Sequence, residues 1–480
     1  MKLSELISKN DILIMPCDAE SIDASGVCAD SRKLRSGELF FSLDGSKANM
    51  YDAAMKNACA VVTDAPPEDR LPARTVIVRD AREAFSLACL HFCGDPQKKL
   101  RLCAVTGTNG KTTVASMLSE ILKEGGYKTF LIGTEGAGSG SDFEKTGYTT
   151  PPPEILSRLL RKAADEGDDF VIMEASSHSL DQKRLFGLGF ELGIFTNLTR
   201  DHLDYHKSVE AYSAAKAKLF SLCRHSVLNF DDPRAYEMAW LACDEIWYYS
   251  ASNRNCDFYA DNISLSADGT DFDFCAVGLR EHISSSLPGE YSVYNMLAAA
   301  SAACVLGIKG SISARALGRF RGAEGRMEKL ETKSGAKVFI DFAHTPDAMR
   351  NVISSARRFT AGKIITVFGC GGERDKGKRP EMGKIAAELS DKVIITSDNP
   401  RSEDPESIIK DIISEIASRE DIIIQPERKA AIELAIASAE KGDTVLLLGK
   451  GAEKFISSGG KNIPFSDKET AEDIIFKKGI

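Results

Sequence analysis

No stretch of this chain approaches the roughly 18 uninterrupted apolar residues that a membrane-spanning helix needs. The opening MKLSELISKNDILIM also lacks the long apolar core and small-residue cleavage site of an export signal. Neither export nor membrane insertion is expected. The 12 cysteines lie singly between Cys17 and Cys370, with no CxxC and no tight cluster. That spacing speaks against a disulfide scaffold and fits a reducing cytoplasm, with the thiols serving as small buried hydrophobes. Basic charge is not in excess either: 61 Lys and Arg stand against 70 Asp and Glu, a net charge of −9. Whole-chain electrostatic capture of nucleic acid or of an acidic membrane face is thereby excluded, so any phosphate must be bound locally. With 38 Gly and 16 Pro the chain has too few of either for a disordered or collagen-like polymer. What is present is 480 residues, 43% hydrophobic and 27% charged. That is ordinary globular material, enough for about three domains, each with its own core.

Three textures follow one another. Residues 1–98 hold short apolar runs, GELFFSL from Gly37 and CAVVTD from Cys59, broken by Gly and Pro, which predicts a small α/β domain ending near GDPQKK. Residues 99–326 repeat an apolar strand, a Gly-rich turn and an amphipathic helix, with a polar, irregular insertion expected from Asp257 to Gly289. In residues 327–480 four nearly continuous apolar runs, Lys337 to Phe342, Lys363 to Gly369, Lys392 to Ser397 and Thr444 to Gly449, alternate with helix-period segments such as Glu406 to Ala417. Buried parallel strands read this way, and the alternation predicts a Rossmann-like doubly wound sheet, whose ligands bind beyond the carboxyl ends of the strands. Those ends carry DFAHTPD, FGCGGERD, SDNPR and GKGAE. The fold class expected is therefore α/β throughout.

The sharpest local signal is LCAVTGTNGKTT. An apolar strand, Leu102 to Val105, enters Thr106, Gly107, Thr108, Asn109, Gly110, Lys111, Thr112 and Thr113, and a helix follows whose apolar face is Val114, Met117, Leu118, Ile121 and Leu122, stopped by Gly125 and Gly126. Strand, glycine loop and helix N-terminus together form a phosphate cradle, with Lys111 as counter-charge and the Thr112 hydroxyl suited to Mg²⁺. The spacing is GxxGKT, shorter than the general GxxxxGK[ST]. Two further apolar strands end at Glu174 and near Thr196, the latter before His202 and His206. Singly, Glu174 reads as a surface carboxylate and His202 as a satisfied core histidine. Four of the seven histidines (His178, His202, His206, His344) fall in such strand-end sequences, which favours a site for Mg²⁺ or Mn²⁺. In SVEAYSAAKAKLFSLC, a helix with Ser208 as its cap, Lys216 falls on the apolar face with Tyr212, Leu219, Phe220 and Cys223. Either it snorkels past them, or it is a chemically used or modified amine. The charge run GGERDKGKRP reads by itself as a solvated loop, and DNPRSEDP as turn chemistry.

Taken in order, TGTNGKTT, MEASSHSL, FTNLTRDHLDYH, YSAAK, GRME, DFAHTPD, FGCGGERDKGKRP, DNPRSEDP and GKGAE closely resemble the Mur ligase family of bacterial cell-wall synthesis, in the branch that adds the third peptide residue. The likeness spans nearly the whole chain, from VCADSRKLRSGELFFSL onward. It implies a domain for the uridine nucleotide, a central P-loop ATPase and a C-terminal Rossmann-like domain for the incoming amino acid. It also implies a reaction in which the D-Glu side-chain carboxylate of UDP-N-acetylmuramoyl-L-Ala-D-Glu takes the γ-phosphate of ATP. An amine then displaces phosphate from the acyl phosphate. By the same resemblance Gly107 to Thr113 hold ATP phosphates, Glu174, His202 and Thr112 ligate Mg²⁺, and Lys216 reacts with CO₂ to become a carbamate ligand. Asn295, Arg326, Asp341 and His344 contact ATP; Ser31, Thr149, Thr150, Ser176, Gln182 and Arg184 contact the UDP-muramoyl dipeptide.

The intact DNPR implies meso-diaminopimelate as the amino acid, since an Arg fork suits the distal carboxylate that L-lysine lacks. Arg374, Asp398, Asn399, Arg401, Gly449 and Glu453 are the contacts implied, with Glu453 set against the distal ammonium. Three positions depart from the family pattern: Ala452 stands where GKGHE has histidine, Ser292 replaces the first Asn of an FNVYN-like stretch, and Asp44 to Met55 differs from the usual DGxDF-like loop. A cytoplasmic monomer without nucleic-acid or membrane partners is expected. An L-lysine-adding ligase, a folylpolyglutamate synthase and a P-loop ATPase switch are the competing readings.

Overall fold

The computed structural model of the protein describes residues 1–65, 74–140, 142–266, 268–416 and 419–478. Four sheets organise them. In the N-terminal part the expected apolar runs are strands Leu39–Ser42 and Ala60–Thr63, buried along their whole length. They pair in parallel with each other, then with Val27–Cys28 on one side and Thr75–Val78 on the other, and Ile12–Ile14 closes the edge antiparallel.

The central sheet has 11 strands. Arg101–Thr106 lies between Phe170–Glu174 and Phe190–Phe195, all parallel, with Glu174 level with Val105 and Phe195 level with Thr106. The ends of three adjacent strands therefore deliver the glycine loop, Glu174 and Thr196 to one edge. Helix Lys111–Glu124 packs beneath: Val114, Met117, Leu118, Ile121 and Leu122 are buried, as the spacing predicts, and Gly125 caps its end. The stretch expected to be irregular is instead a regular antiparallel meander, Phe258–Ser266, Gly269–Ala276 and Leu279–Ser285, that extends the central sheet. Its polar residues alternate with Phe272, Phe274 and Ile283, which face the core. With one face wet, a strand has few apolar residues, and its sequence reads as a loop.

The four apolar runs of the C-terminal part form strands Lys337–Asp341, Ile364–Phe368, Lys392–Ile395 and Thr444–Leu448, parallel, with Thr444–Leu448 between the first two. Helices Pro346–Phe359, Lys378–Leu389 and Pro405–Ile413 pack one face of this sheet, Arg428–Ala437 and Asp467–Lys478 the other. This is the doubly wound arrangement anticipated. Of the helix expected over Glu406 to Ala417, Ala417 lies outside the described residues. All 12 cysteines are free; five are buried, five are half-buried, and Cys17 and Cys243 are exposed, so the reading of the thiols as small buried hydrophobes holds fully for only five of them. No helix among the described residues is long and apolar enough to cross a membrane.

Candidate functional site

A cleft of about 790 Å³ opens between the central and C-terminal sheets. Thr108, Asn109, Gly110, Lys111, Thr112, Thr113, Glu174, His202, Asn295, Arg326, Asp341 and His344 line it, so the structure brings together nearly all the residues expected at the ATP phosphates and the metal. The loop is shaped by its neighbours. A Cβ on Gly107 (φ +151°) would come within 1.9 Å of Thr196 Oγ1, so no other residue fits there. Thr196 Oγ1 donates to the Asn109 carbonyl at 2.6 Å, Thr108 N donates to the Asn197 carbonyl at 2.8 Å, and Asn109 N donates to Asn197 Oδ1 at 3.0 Å. Asn197 is thus a structural half of the loop that its sequence context, the end of an apolar strand, only hinted at. Lys111 Nζ donates to the carbonyls of Gly107 and Thr108 at 2.9 and 2.8 Å, and burial lowers its pKa.

Glu174 is buried, and its carboxylate accepts from Thr112 Oγ1 at 2.9 Å, from Thr134 N at 2.9 Å and from Thr134 Oγ1 at 3.1 Å. Thr134 was not singled out from the sequence. His202 adopts a left-handed backbone (φ 53°) at the start of Leu203–His206, beside Asp201 at 3.4 Å and the His178 ring at 4.9 Å. Burial brings its pKa down to about 4, which leaves a neutral imidazole able to act as a ligand at pH 7. No group of three or more His, Cys, Asp or Glu among the described residues is arranged to hold a metal. The Thr112 hydroxyl, the Glu174 carboxylate and the His202 imidazole fit a hard cation that takes its other ligands from phosphate oxygens and water.

Lys216 lies where the periodicity placed it. The helix is Val209–Ala217, with Ser208 Oγ accepting from Ala211 N. It ends earlier than expected: Phe220–Leu222 is a 3₁₀ turn and Cys223 begins a strand. Lys216 is 1% exposed, and its ammonium donates to the Gly107 carbonyl at 2.7 Å and sits 4.5 Å above the Tyr212 ring. Burial, then the charge of Lys111, drive its pKa well below that of a free lysine. Lys218, by contrast, reaches Asp181 on the surface.

On the far side of the cleft, Asp341 accepts from Met327 N and Ala343 N, both at 2.8 Å, and the Arg326 guanidinium rests on the Phe342 ring at 4.6 Å. His344 Nδ1 donates to the Phe342 carbonyl at 2.8 Å. A second group lies beyond Glu174. Thr150 Oγ1 donates to the Glu174 carbonyl at 2.7 Å and lies 3.2 Å from Ser176 Oγ, while Arg184 donates to the Thr150 carbonyl at 2.8 Å and to Gln182 Oε1 at 2.7 Å. Thr149 joins through Thr134 at 3.0 Å. Ser31 stands apart in the N-terminal part, bonded to Asn49 and Lys56.

The third group gathers at the strand ends of the C-terminal sheet. Asn399 Nδ2 donates to Glu453 Oε2 at 2.7 Å, Arg401 donates to the Gly372 carbonyl, and Arg374 and Asp398 act on the Arg401 charge. Gly449 N donates to the Asp341 carbonyl at 3.0 Å. Lys450, which sequence reasoning passed over, is wholly buried among them, 2.9 Å from Glu453 and 3.7 Å from Asp398. GGERDKGKRP is only in part the solvated loop expected: its Arg379 has no exposed surface.

The Mur ligase middle domain matches residues 105–303, and the Mur ligase glutamate ligase domain matches residues 325–451. The chain is 39% identical, over 99% of each sequence, to UDP-N-acetylmuramoyl-L-alanyl-D-glutamate--2,6-diaminopimelate ligase 1 of Clostridium acetobutylicum. A solved structure of a UDP-N-acetylmuramoyl-L-alanyl-D-glutamate--2,6-diaminopimelate ligase superposes with a TM-score of 0.73 at 31% identity, covering 100% of this chain and 99% of that one. The MurF ligase of Thermotoga maritima in complex with ADP shares the fold, with a TM-score of 0.61 at 16% identity over 94% of this chain and 97% of that one. The chain belongs to the Mur ligase family.

Proposed function

We propose that this protein is the ATP-dependent ligase that joins meso-2,6-diaminopimelate to the D-Glu side-chain carboxylate of UDP-N-acetylmuramoyl-L-Ala-D-Glu during peptidoglycan precursor synthesis. The observation that carries the choice of amino acid is the gathering of Arg374, Asn399, Arg401 and Glu453 around the DNPR turn. Two guanidinium groups and a carboxylate there complement a distal carboxylate and ammonium, and the diaminopimelate named for the relatives has both. Residues 1–98 serve the uridine nucleotide, 99–326 ATP and 327–480 the amino acid. The enzyme works in the cytoplasm as a monomer.

The chemistry proceeds in two transfers. A D-Glu carboxylate oxygen bonds to the γ-phosphorus as the bond to the ADP oxygen breaks, which gives an acyl phosphate. The free amine of diaminopimelate then adds to the acyl carbon, loses a proton and expels phosphate. Positioning and charge neutralisation supply most of the acceleration. Lys111 and the amides at the start of Lys111–Glu124 hold the phosphates, with Asn295, Arg326, Asp341 and His344 around the nucleotide. Thr149, Thr150, Ser176, Gln182 and Arg184, with Ser31, hold the muramoyl dipeptide. Thr112, Glu174, His202 and Lys216 would hold Mg²⁺, which offsets phosphate charge when bound.

The low pKa of Lys216 supports its conversion to a carbamate: a buried free amine forms an N–C bond to CO₂ and releases a proton. The product exchanges a cation repelled by Lys111 for an anion attracted to it. The decisive test is phosphate release by the full-length protein with the muramoyl dipeptide nucleotide and either amino acid. Release should require the nucleotide and should favour diaminopimelate at least about tenfold over L-lysine. Equal turnover with lysine overturns the amino-acid assignment. ATP hydrolysis indifferent to the nucleotide overturns the ligase.

A further inference from the structure

Arg379 is among the largest fully buried side chains of the described residues, and its placement is costly. It lies in the first turn of Lys378–Leu389, where the helix dipole disfavours a cation, and its Nε has no hydrogen-bond partner. Buried ion pairs of this kind contribute little net stability against an apolar replacement. What the guanidinium holds gives it a purpose. Nη1 and Nη2 each donate to the Glu403 carboxylate at 3.0 Å, Nη1 donates to Asp411 at 2.9 Å, and Nη2 donates to the Gly371 carbonyl at 3.2 Å. Glu403 in turn accepts from Glu373 N at 2.5 Å and lies 3.4 Å from Lys376.

This clamp stitches the GGERD loop to the DNPR turn. The two segments also meet through Gly372 N donating to the Asn399 carbonyl at 2.9 Å, through Arg401 donating to the Gly372 carbonyl and through Ser402 donating to Glu373. They approach so closely that a Cβ on Gly372 would come within 2.0 Å of the Pro400 carbonyl. Each segment contains a non-glycine residue in the left-handed region, Glu373 (φ 54°) and Arg401 (φ 55°). Such backbone costs about 1 to 3 kcal/mol per residue and persists only where surrounding contacts over-determine it. The strained residues either carry or adjoin the two cationic side chains, Arg374 and Arg401, whose like charges oppose one another.

We propose that Arg379 is a positioning residue for the amino-acid substrate, acting through Glu403 to hold Arg374 and Arg401 together as a preformed receptor for a carboxylate. The inference rests on the function proposed above and adds a residue that touches no substrate. Without the clamp the two guanidinium groups repel, both left-handed residues relax, and the receptor must be reassembled each time the ligand binds. The loss falls on amino-acid binding and leaves the phosphate chemistry, across the cleft, intact.

The test is steady-state kinetics on full-length Arg379→Lys and Glu403→Gln, with each substrate varied in turn and thermal unfolding measured alongside. Glu403→Gln keeps the size of the side chain and serves if Arg379→Lys does not fold. We expect the KM for diaminopimelate to rise roughly tenfold or more in each. The KM values for ATP and the muramoyl nucleotide and the kcat should stay within about threefold, and the preference over L-lysine should shrink, because lysine has no distal carboxylate to lose. Unchanged KM for diaminopimelate in Glu403→Gln, or a uniform rise in all three KM values with a matching fall in thermal stability, overturns the positioning role while leaving the ligase assignment in place. A parent enzyme that turns over no diaminopimelate overturns the assignment and the inference together.

Discussion

At the scale of single residues, the site depends on groups whose protonation is set by burial. Lys216 is the clearest. As a cation it is an anomaly inside a core, packed on Tyr212 and repelled by Lys111; as a carbamate it becomes an oxygen ligand in the same position. Lys216→Ala is expected to lower kcat by roughly 100-fold or more, with partial recovery when a short carboxylic acid is added, read by phosphate release. Full activity in that variant would contradict the carbamate. His344 bears on stability instead. Burial, reinforced by Lys378, brings its pKa from 6.5 to about 4, so between those values the unfolded chain binds a proton that the folded one refuses. Stability contributed by the neutral ring is therefore complete above pH 6.5 and declines as pH falls toward 4. His344→Gln should flatten the loss of thermal stability between pH 6.5 and 4.5. The flattening is partial, because His202 is depressed to about 4 as well. A pH profile unchanged by the substitution would show that His344 is solvated.

At the scale of elements, function is a matter of where strands stop and helices begin. The central strands carry apolar runs, Leu102 to Val105, Phe170 to Met173 and Leu192 to Phe195, and the chain turns polar directly after each, which is why Glu174, Thr196 and the glycine loop were legible as a group. The helix that carries Lys216 has only nine residues, and it is held by its cap as much as by its packing. Ser208→Ala removes the acceptor for Ala211 N and should cost about 1 kcal/mol in urea unfolding. A cost below about 0.3 kcal/mol would mean that packing of Tyr212 and Lys216 alone fixes the helix. The Phe258–Ser285 meander shows the converse: alternation with one wet face hid three strands behind a polar composition.

At the scale of the molecule, the central and C-terminal sheets keep largely separate apolar cores, with Tyr291 of the central part packed against the C-terminal one, and polar contacts also cross between them. Asn109 of the phosphate loop donates to Asp347 at 3.3 Å, Arg358 pairs with Glu290 at 2.9 Å, and Asp268 at the tip of the meander takes both Lys329 and Lys337 at 3.0 Å. Separate cores joined by such contacts permit relative movement during a cycle that must admit three substrates. Asp268 is 77% exposed, so Asp268→Asn should change unfolding stability by less than about 1 kcal/mol, with the difference vanishing at high salt. A larger, salt-independent loss would show that this contact is part of a rigid joint.

Outside the meander, the order of strands and helices, the phosphate loop, the polar strand ends and the inward lysine were decided by local pattern, because periodicity and turn chemistry act over a few residues. Pairing was not so decided. Asn197 completes the phosphate loop from 88 residues away, Lys450 supports Glu453 and Asp398, and Arg379 lies inside a segment whose composition reads as solvent-facing. Each of these roles depends on which groups remove a side chain from water. Burial and distance between segments far apart in the chain arise only when the sheets assemble.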